Sequence, residues 1–329
     1  MGKIVYTCPY VPAEWVAAHG LVPSRVMVRT AGTSPAVGPK EGVCPYVRGF
    51  VDEVMSRNDV SGIVMTTVCD QMRRAFDIVV GRSKLPAFLM NVPNTWRSVA
   101  AQRLYVDELR RLSRFLVGLG GSAVSNGELA KVMLDYDTAR SSLLAKRELM
   151  SGRQFAEMVA AFNMDGPGAV SANVAGCSAA PRGVPLAAVG GPMMAEDLDM
   201  FDVIEESGGR IVLDATESGE RGICQRFDRR SIGDDPVTEL AEAYFGGIQD
   251  ASRRPNSGLY QWLKQHFEER GVRGVVLHRY VWCDMWHAEL ARLREWTDLP
   301  VLDVGVTGDC EADKHRAANQ IGAFLEMLQ

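Results

Sequence analysis

Gly62-Ile63-Val64-Met65-Thr66-Thr67-Val68 runs straight into Cys69-Asp70-Gln71-Met72-Arg73-Arg74, and this junction decides the fold. The first part carries no charge and is rich in β-branched residues, which reads as a strand buried on both faces. The second part is polar and reads as the opening of a helix at Cys69. A copy of the same plan follows much later, with Gly274–Trp282 as a strand, Cys283 at the turn and Asp284–Trp296 as a helix. The interval from Cys69 to the Pro of Leu85-Pro86 equals that from Cys283 to the Pro of Leu299-Pro300. Two strand–Cys–helix–strand units are therefore repeats.

Upstream of the first unit, Lys3–Thr7 reads as a strand, Pro12–His19 as a helix stopped by Gly20, and Ser24–Arg29 as a second strand. A Gly/Pro/Ser-rich loop over Thr30–Gly42 leads to Cys44-Pro45-Tyr46 and a helical run to about Arg57, with Pro45 suited to the first turn. Leu85–Asn91 is a further strand, and one long helical region from Thr95 to about Ala161 closes the lobe. The second half starts alike, with Pro185–Gly190, Ala195–Glu206 and Arg210–Asp214 as strand, helix and strand. Such alternation predicts the α/β class: two Rossmann-like lobes, residues 1–165 and 166–329, each a parallel sheet with helices on both faces. Ligands of such sheets gather at the carboxyl ends of strands. Cys69 and Cys283 both sit there, so a cleft between facing lobes would bring them together.

Thirty-six basic residues stand against 41 acidic ones among 329, a formal net charge of -5 without a long basic run. That argues against nucleic acid as a partner. Apolar stretches stop well short of a membrane span, and the start lacks the features of a secretory signal, so a soluble cytoplasmic protein is expected. Seven cysteines in a reducing compartment do not make a disulfide framework. Nor do they form the paired knuckles of structural zinc.

A thiolate at a helix start is favoured by unpaired N–H groups and by the helix dipole. Cys44, Cys69 and Cys283 all occupy such positions. Thiolates of this kind hold iron–sulfur clusters, and three of them leave one iron of a cubane open. Any one cysteine alone is more often a small buried hydrophobe, but packing does not require cysteine at repeated helix starts. Cys8 ends the first strand and faces the same cleft, although its counterpart in the repeat, near Gly190-Gly191-Pro192, offers no ligand. Cys177 and Cys310 read as structural, and Cys224 ends a strand with no assigned role. Cys8, Glu14, Gln71 and Arg73 are the catalytic candidates, and Arg48 and Arg74 also flank the cysteines, although most such charges are solvated faces. His278 and His287 bracket Cys283, and His278, within a strand, reads as a satisfied core residue. Gly190-Gly191-Pro192-Met193-Met194 is a weak candidate for an anion cradle.

Four segments together resemble the family of 2-hydroxyacyl-CoA dehydratase iron–sulfur subunits, which includes benzoyl-CoA reductase subunits and double-cubane cluster proteins. They are Cys8-Pro9-Tyr10-Val11-Pro12-Ala13-Glu14 with Ala17-Ala18-His19-Gly20-Leu21, then Cys44-Pro45-Tyr46-Val47-Arg48, then Thr66–Arg74, and finally Trp282-Cys283-Asp284 with Ile321–Glu326. The CDxxRR-like segment is the most specific. The resemblance implies an oxygen-sensitive [4Fe-4S] cluster in the inter-lobe cleft on Cys44, Cys69 and Cys283, and a homo- or heterodimer with a related subunit. It further implies an ATP-hydrolysing iron–sulfur activator that injects a low-potential electron. In dehydratases that electron makes a ketyl radical on the acyl-CoA and permits loss of water; in reductases electrons go into the product. Many members carry residues before the first strand, which begins here at Lys3. That favours as an alternative a double-cubane [8Fe-9S] cluster, shared across the dimer, in a reductase of small molecules. A non-catalytic iron–sulfur carrier or binding protein is the alternative from another class.

Overall fold

A computed structural model describes residues 1–30, 42–172 and 182–329. The chain begins with β1 (Lys3–Tyr6), α1 (Ala13–Ala18), β2 (Val22–Arg25), α2 (Pro45–Ser56), β3 (Gly62–Thr66), α3 (Asp70–Arg82) and β4 (Ala87–Met90). It continues through α4 (Val99–Gly118), α5 (Asn126–Leu144), α6 (Gly152–Asp165) and α7 (Gly168–Ala172). The second half has β5 (Val184–Gly190), α8 (Asp199–Glu206), β6 (Gly209–Ala215), α9 (Arg229–Asp234), α10 (Pro236–Ala241), α11 (Ser257–Arg270), β7 (Gly274–Tyr280), α12 (Asp284–Trp296), β8 (Val301–Val306) and α13 (Cys310–Leu328).

Two four-stranded sheets result, ordered β2-β1-β3-β4 and β6-β5-β7-β8, with every pairing parallel. The α/β architecture of two Rossmann-like lobes is the expected one. The repeat extends to individual hydrogen bonds. Ile63 N–H donates to the Pro86 carbonyl and Val275 N–H to the Pro300 carbonyl, both at 2.9 Å. Beyond the strand ends, Thr67 N–H donates to Met90 at 3.1 Å and Val281 N–H to Val306 at 3.0 Å.

The strands read as continuous apolar runs because helices cover both faces; all five residues of β3 are buried. One core cluster joins Phe50, Val51 and Ile63 of the first half to Phe201, Ile204 and Leu325 of the second, so the lobes share packing. At the end of β5 a Cβ on Gly190 would lie 2.1 Å from the His278 carbonyl oxygen, so the two strands approach closely only with glycine there.

Two features depart from expectation. The single helical region from Thr95 to Ala161 is three helices. Gly120 takes a left-handed φ of +94° after α4, and capping boxes at Ser125 with Glu128 and at Ser151 with Gln154 start α5 and α6. Second, Cys224, Phe227, Leu240, Tyr244 and Phe245 lie in the second half by sequence, yet they pack with Tyr105, Leu109 and Leu112 of α4. The loop over Thr30–Gly42 lies mostly outside the described residues, as does Cys177. No helix among the described residues is long and apolar enough to cross a membrane.

Candidate functional site between the lobes

Three loops from the carboxyl ends of strands meet between the sheets. Cys69 follows β3, Cys283 follows β7, and Cys44 directly precedes α2. Each has its own carbonyl accepting the first helical hydrogen bond: Cys44 from Arg48 at 3.1 Å, Cys69 from Arg73 at 3.0 Å and Cys283 from His287 at 2.9 Å. All three are therefore N-cap residues. None of their sulfurs closes a capping hydrogen bond on its own helix. With Cys8 they line one cavity of about 70 Å³. Among the described residues no group of three His, Cys, Asp or Glu is gathered closely enough to hold a metal ion, so the thiols face a cavity and do not pinch a single point.

Gln71 ties the three loops together. Its Oε1 accepts the Cys44 N–H at 2.6 Å, and its Nε2 donates to the Trp282 carbonyl at 2.9 Å. One side chain, two residues beyond Cys69, thereby sets the residue of one thiol and the neighbour of another. From the other side Arg25 reaches across the lobes. Its Nε donates to the Thr7 carbonyl at 2.7 Å, and its Nη2 donates to the Glu217 carbonyl at 2.8 Å.

Burial dominates the electrostatics. It pushes the thiols of Cys8, Cys44 and Cys283 up to about 12 and Cys69 in the same direction. Cys283 pushes Cys44 up further, while N–H groups at the helix starts, such as Val47 and Met72, favour the thiolates without prevailing. The expectation that helix starts alone lower these thiols is thus reversed by desolvation.

Glu217, just past β6, also lines the cavity. Burial, then the nearby Asp250 carboxylate, raises its carboxyl from 4.5 to about 7, against the opposing charges of Arg25 and Arg221. The folded chain then binds more protons than the unfolded one between those values. The stability linked to this group is full below about pH 4.5 and is lost as pH rises to about 7, a span of roughly 3 kcal/mol. Glu217→Gln cannot ionise. In iron-free protein it should therefore unfold at higher urea than wild type at pH 8, by up to about 3 kcal/mol, and match it at pH 4.5. An equal shift at both pH values would rule out a titrating Glu217.

The other sequence candidates are distributed differently. Cys8 and Gln71 are at the cavity or its frame. Glu14 is fully buried on α1, where it accepts from Arg140 and from the Tyr244 hydroxyl at 2.6 Å, and it is absent from the cavity wall. Arg73 is exposed and pairs with exposed Asp70; Arg74 and His287 are exposed too. Arg48 is buried on α2 outside the lining, and Cys224 is buried near Arg140 and Tyr244. Cys310 starts α13. The N–H groups of Met193 and Met194 are taken by the Ser218 hydroxyl at 2.9 Å, Asp197 at 3.0 Å and the Tyr280 hydroxyl at 2.9 Å, so that segment is no anion cradle. His278 is not a satisfied core residue: it is 1% exposed, and neither ring nitrogen has a hydrogen-bond partner among the described residues.

Glu217, Asp250, Tyr46 and Tyr280 line the cavity unforeseen. The position of Glu217, at the carboxyl end of a parallel strand, was the available signal. Tyr46 lies in the Cys44-Pro45-Tyr46 segment two residues beyond a candidate thiol, whereas Asp250 carries no signal of its own.

No curated protein matches the chain. The family described as 2-hydroxyglutaryl-CoA dehydratase, D-component, matches residues 8–328, which takes in all four cavity cysteines and every strand of both sheets except β1. The chain belongs to this family of dehydratase components.

Proposed function

We propose that Cys44, Cys69 and Cys283 hold a [4Fe-4S] cluster in the inter-lobe cavity, and that the chain is the iron–sulfur subunit of an activator-coupled acyl-CoA dehydratase. The observation that carries the reading is the convergence of three N-cap thiols, from three loops tied by one glutamine, on one cavity. The donor set fits. Thiols held near 12 by burial part with their protons only to a strongly cationic partner, which iron supplies. The N–H groups at the helix starts suit cluster sulfurs as well as thiolates.

When bound, the cluster supplies low-potential electrons and one iron without a cysteine ligand. The chain's own residues do the rest. Glu217 keeps its proton up to about pH 7 beside the thiols, as a donor to a departing hydroxyl requires. Burial of the cavity walls keeps water away from the reacting carbons. The substrate is a 2-hydroxyacyl thioester, the electron source an ATP-hydrolysing iron–sulfur activator, and the partner a related subunit.

Protein purified without oxygen is expected to carry about four irons and four sulfides per chain and to dehydrate a 2-hydroxyacyl-CoA when activator, ATP and reductant are supplied. A single eight-iron unit bridging two chains would replace this assignment with the double-cubane one. Absence of iron would reject both. Gln71→Leu keeps side-chain volume but removes both loop ties. It is expected to lower iron per chain by at least half and to cost about 1–3 kcal/mol in urea unfolding. Unchanged iron in this variant would mean that Gln71 does not position the thiols.

A further inference from the structure

We infer that a second cavity, separated from the thiol cavity by His278, binds a short aliphatic molecule bearing one neutral hydroxyl or carbonyl group. The cavity holds about 220 Å³ beside the carboxyl ends of β7 and β8, between α8 and α13. Its walls are mainly apolar, including Met200, Val203, Val304, Val306 and Ala317. An apolar cavity of about 150 Å³ takes a benzene molecule, so this one has room for roughly six to nine heavy atoms.

His278 lines both cavities. Its imidazole is almost fully buried and neither nitrogen has a hydrogen-bond partner among the described residues. Leaving such a group unpaired is costly, and a ligand hydroxyl or carbonyl in the cavity satisfies it. Asp197 Oδ2, which accepts from the Tyr280 hydroxyl at 2.5 Å and the Met194 N–H at 3.0 Å, lies 3.3 Å from Nε2 without forming a hydrogen bond to it.

The remaining carboxylates on the wall are engaged as well. Glu196 accepts from Thr30, Asp199 pairs with Arg153 and Lys314, and Asp313 accepts from Thr307 and Gly308. Four carboxylates against one lysine around the cavity disfavour an anionic ligand, and the carboxylates' existing partners leave the imidazoles, buried His278 and exposed His315, as polar contacts for an incoming group, of which His278 is the one shielded from water. The inference stands on this cavity and is independent of the cluster.

Hexan-1-ol titrated into the full chain, followed by saturation-transfer NMR, is expected to bind saturably with a Kd of about 1 mM. His278→Leu should weaken it about 3–10-fold. Ala317→Phe should abolish it, and Val203→Phe, on the opposite wall, serves if the first variant does not fold. Cys69→Ser, in the other cavity, should leave the affinity unchanged. Displacement of hexanol by butyryl-CoA would assign the aliphatic group to the acyl arm of a thioester; binding undisturbed by it would assign a free small molecule. Absence of saturable binding, hexanoate binding more tightly than hexanol, hexane binding equally well, or affinity indifferent to the His278 and cavity-filling variants would each overturn the inference.

Discussion

Cys69→Ser is expected to strip the protein of most of its iron–sulfur absorbance while leaving the fold in place. The hydroxyl replaces the thiol at nearly the same volume, and the sulfur closes no capping hydrogen bond on α3 whose loss would disturb the helix. Ligation suffers instead, because an alkoxide forms far less readily than a thiolate and is a harder donor than iron–sulfur chemistry favours. Under the proposed ligation, losing one of the three cysteines leaves two loops to hold the cluster. The measurement is iron and sulfide per chain under anaerobic conditions, with circular dichroism to show the retained fold. Cys224→Ser is the contrasting variant: that thiol is buried near Tyr244 and away from the cavity wall, so iron content should stay at the wild-type value. A Cys69→Ser protein with full iron would show the ligand assignment to be wrong.

Arg221→Met is expected to cost about 3–5 kcal/mol, the largest effect on stability of the changes considered. The guanidinium is 2% exposed. It donates to the carbonyls of Ala215 at 2.8 Å, Gln249 at 2.8 Å and Gly190 at 2.6 Å, and to the Asp250 carboxylate at 2.6 Å. Its plane also lies 5.0 Å from the Trp286 ring. Burial by itself would raise the Asp250 carboxyl, but Arg221 together with hydrogen bonds from Ser252 outweighs it and holds the carboxyl below the ordinary range. Methionine fills much of the space and satisfies none of these acceptors, so a carboxylate and three carbonyls remain buried without their donor. Urea unfolding measures the loss. Arg221→Met combined with Asp250→Asn should recover part of it, since the uncompensated charge is then gone. A single-variant loss below about 1 kcal/mol would contradict the account. Because Arg221 joins the ends of β5 and β6 to the 249–250 segment beside the thiols, iron content should fall with stability.

Several elements were legible in one dimension. The uncharged run ending at Cys69 and its copy ending at Cys283 became β3 and β7, and the matching prolines make equivalent hydrogen bonds. Cys44, Cys69 and Cys283 stand at helix starts as their neighbours indicated. The helical region after Thr95 reads as one piece because helix-favouring residues resume after each break. Only the serine caps, which act through local hydrogen bonds, mark the new starts. Glu14 sits among residues that suggested cleft chemistry, yet a buried arginine 126 positions away claims its carboxylate.

What residue order could settle was therefore what depends on neighbours a few positions apart: strand and helix type, the parallel repeat, and the N-cap placement of the three cysteines. Apolar periodicity and helix-start chemistry act over that range. What required the folded chain was everything set by desolvation and by partners far along it. The thiols rise toward 12 and Glu217 toward 7 because both lobes close over them. Gln71 becomes a tie because Trp282, 211 positions away, is brought to its amide. Burial is a property of the whole packed volume, and no local pattern of residues contains it.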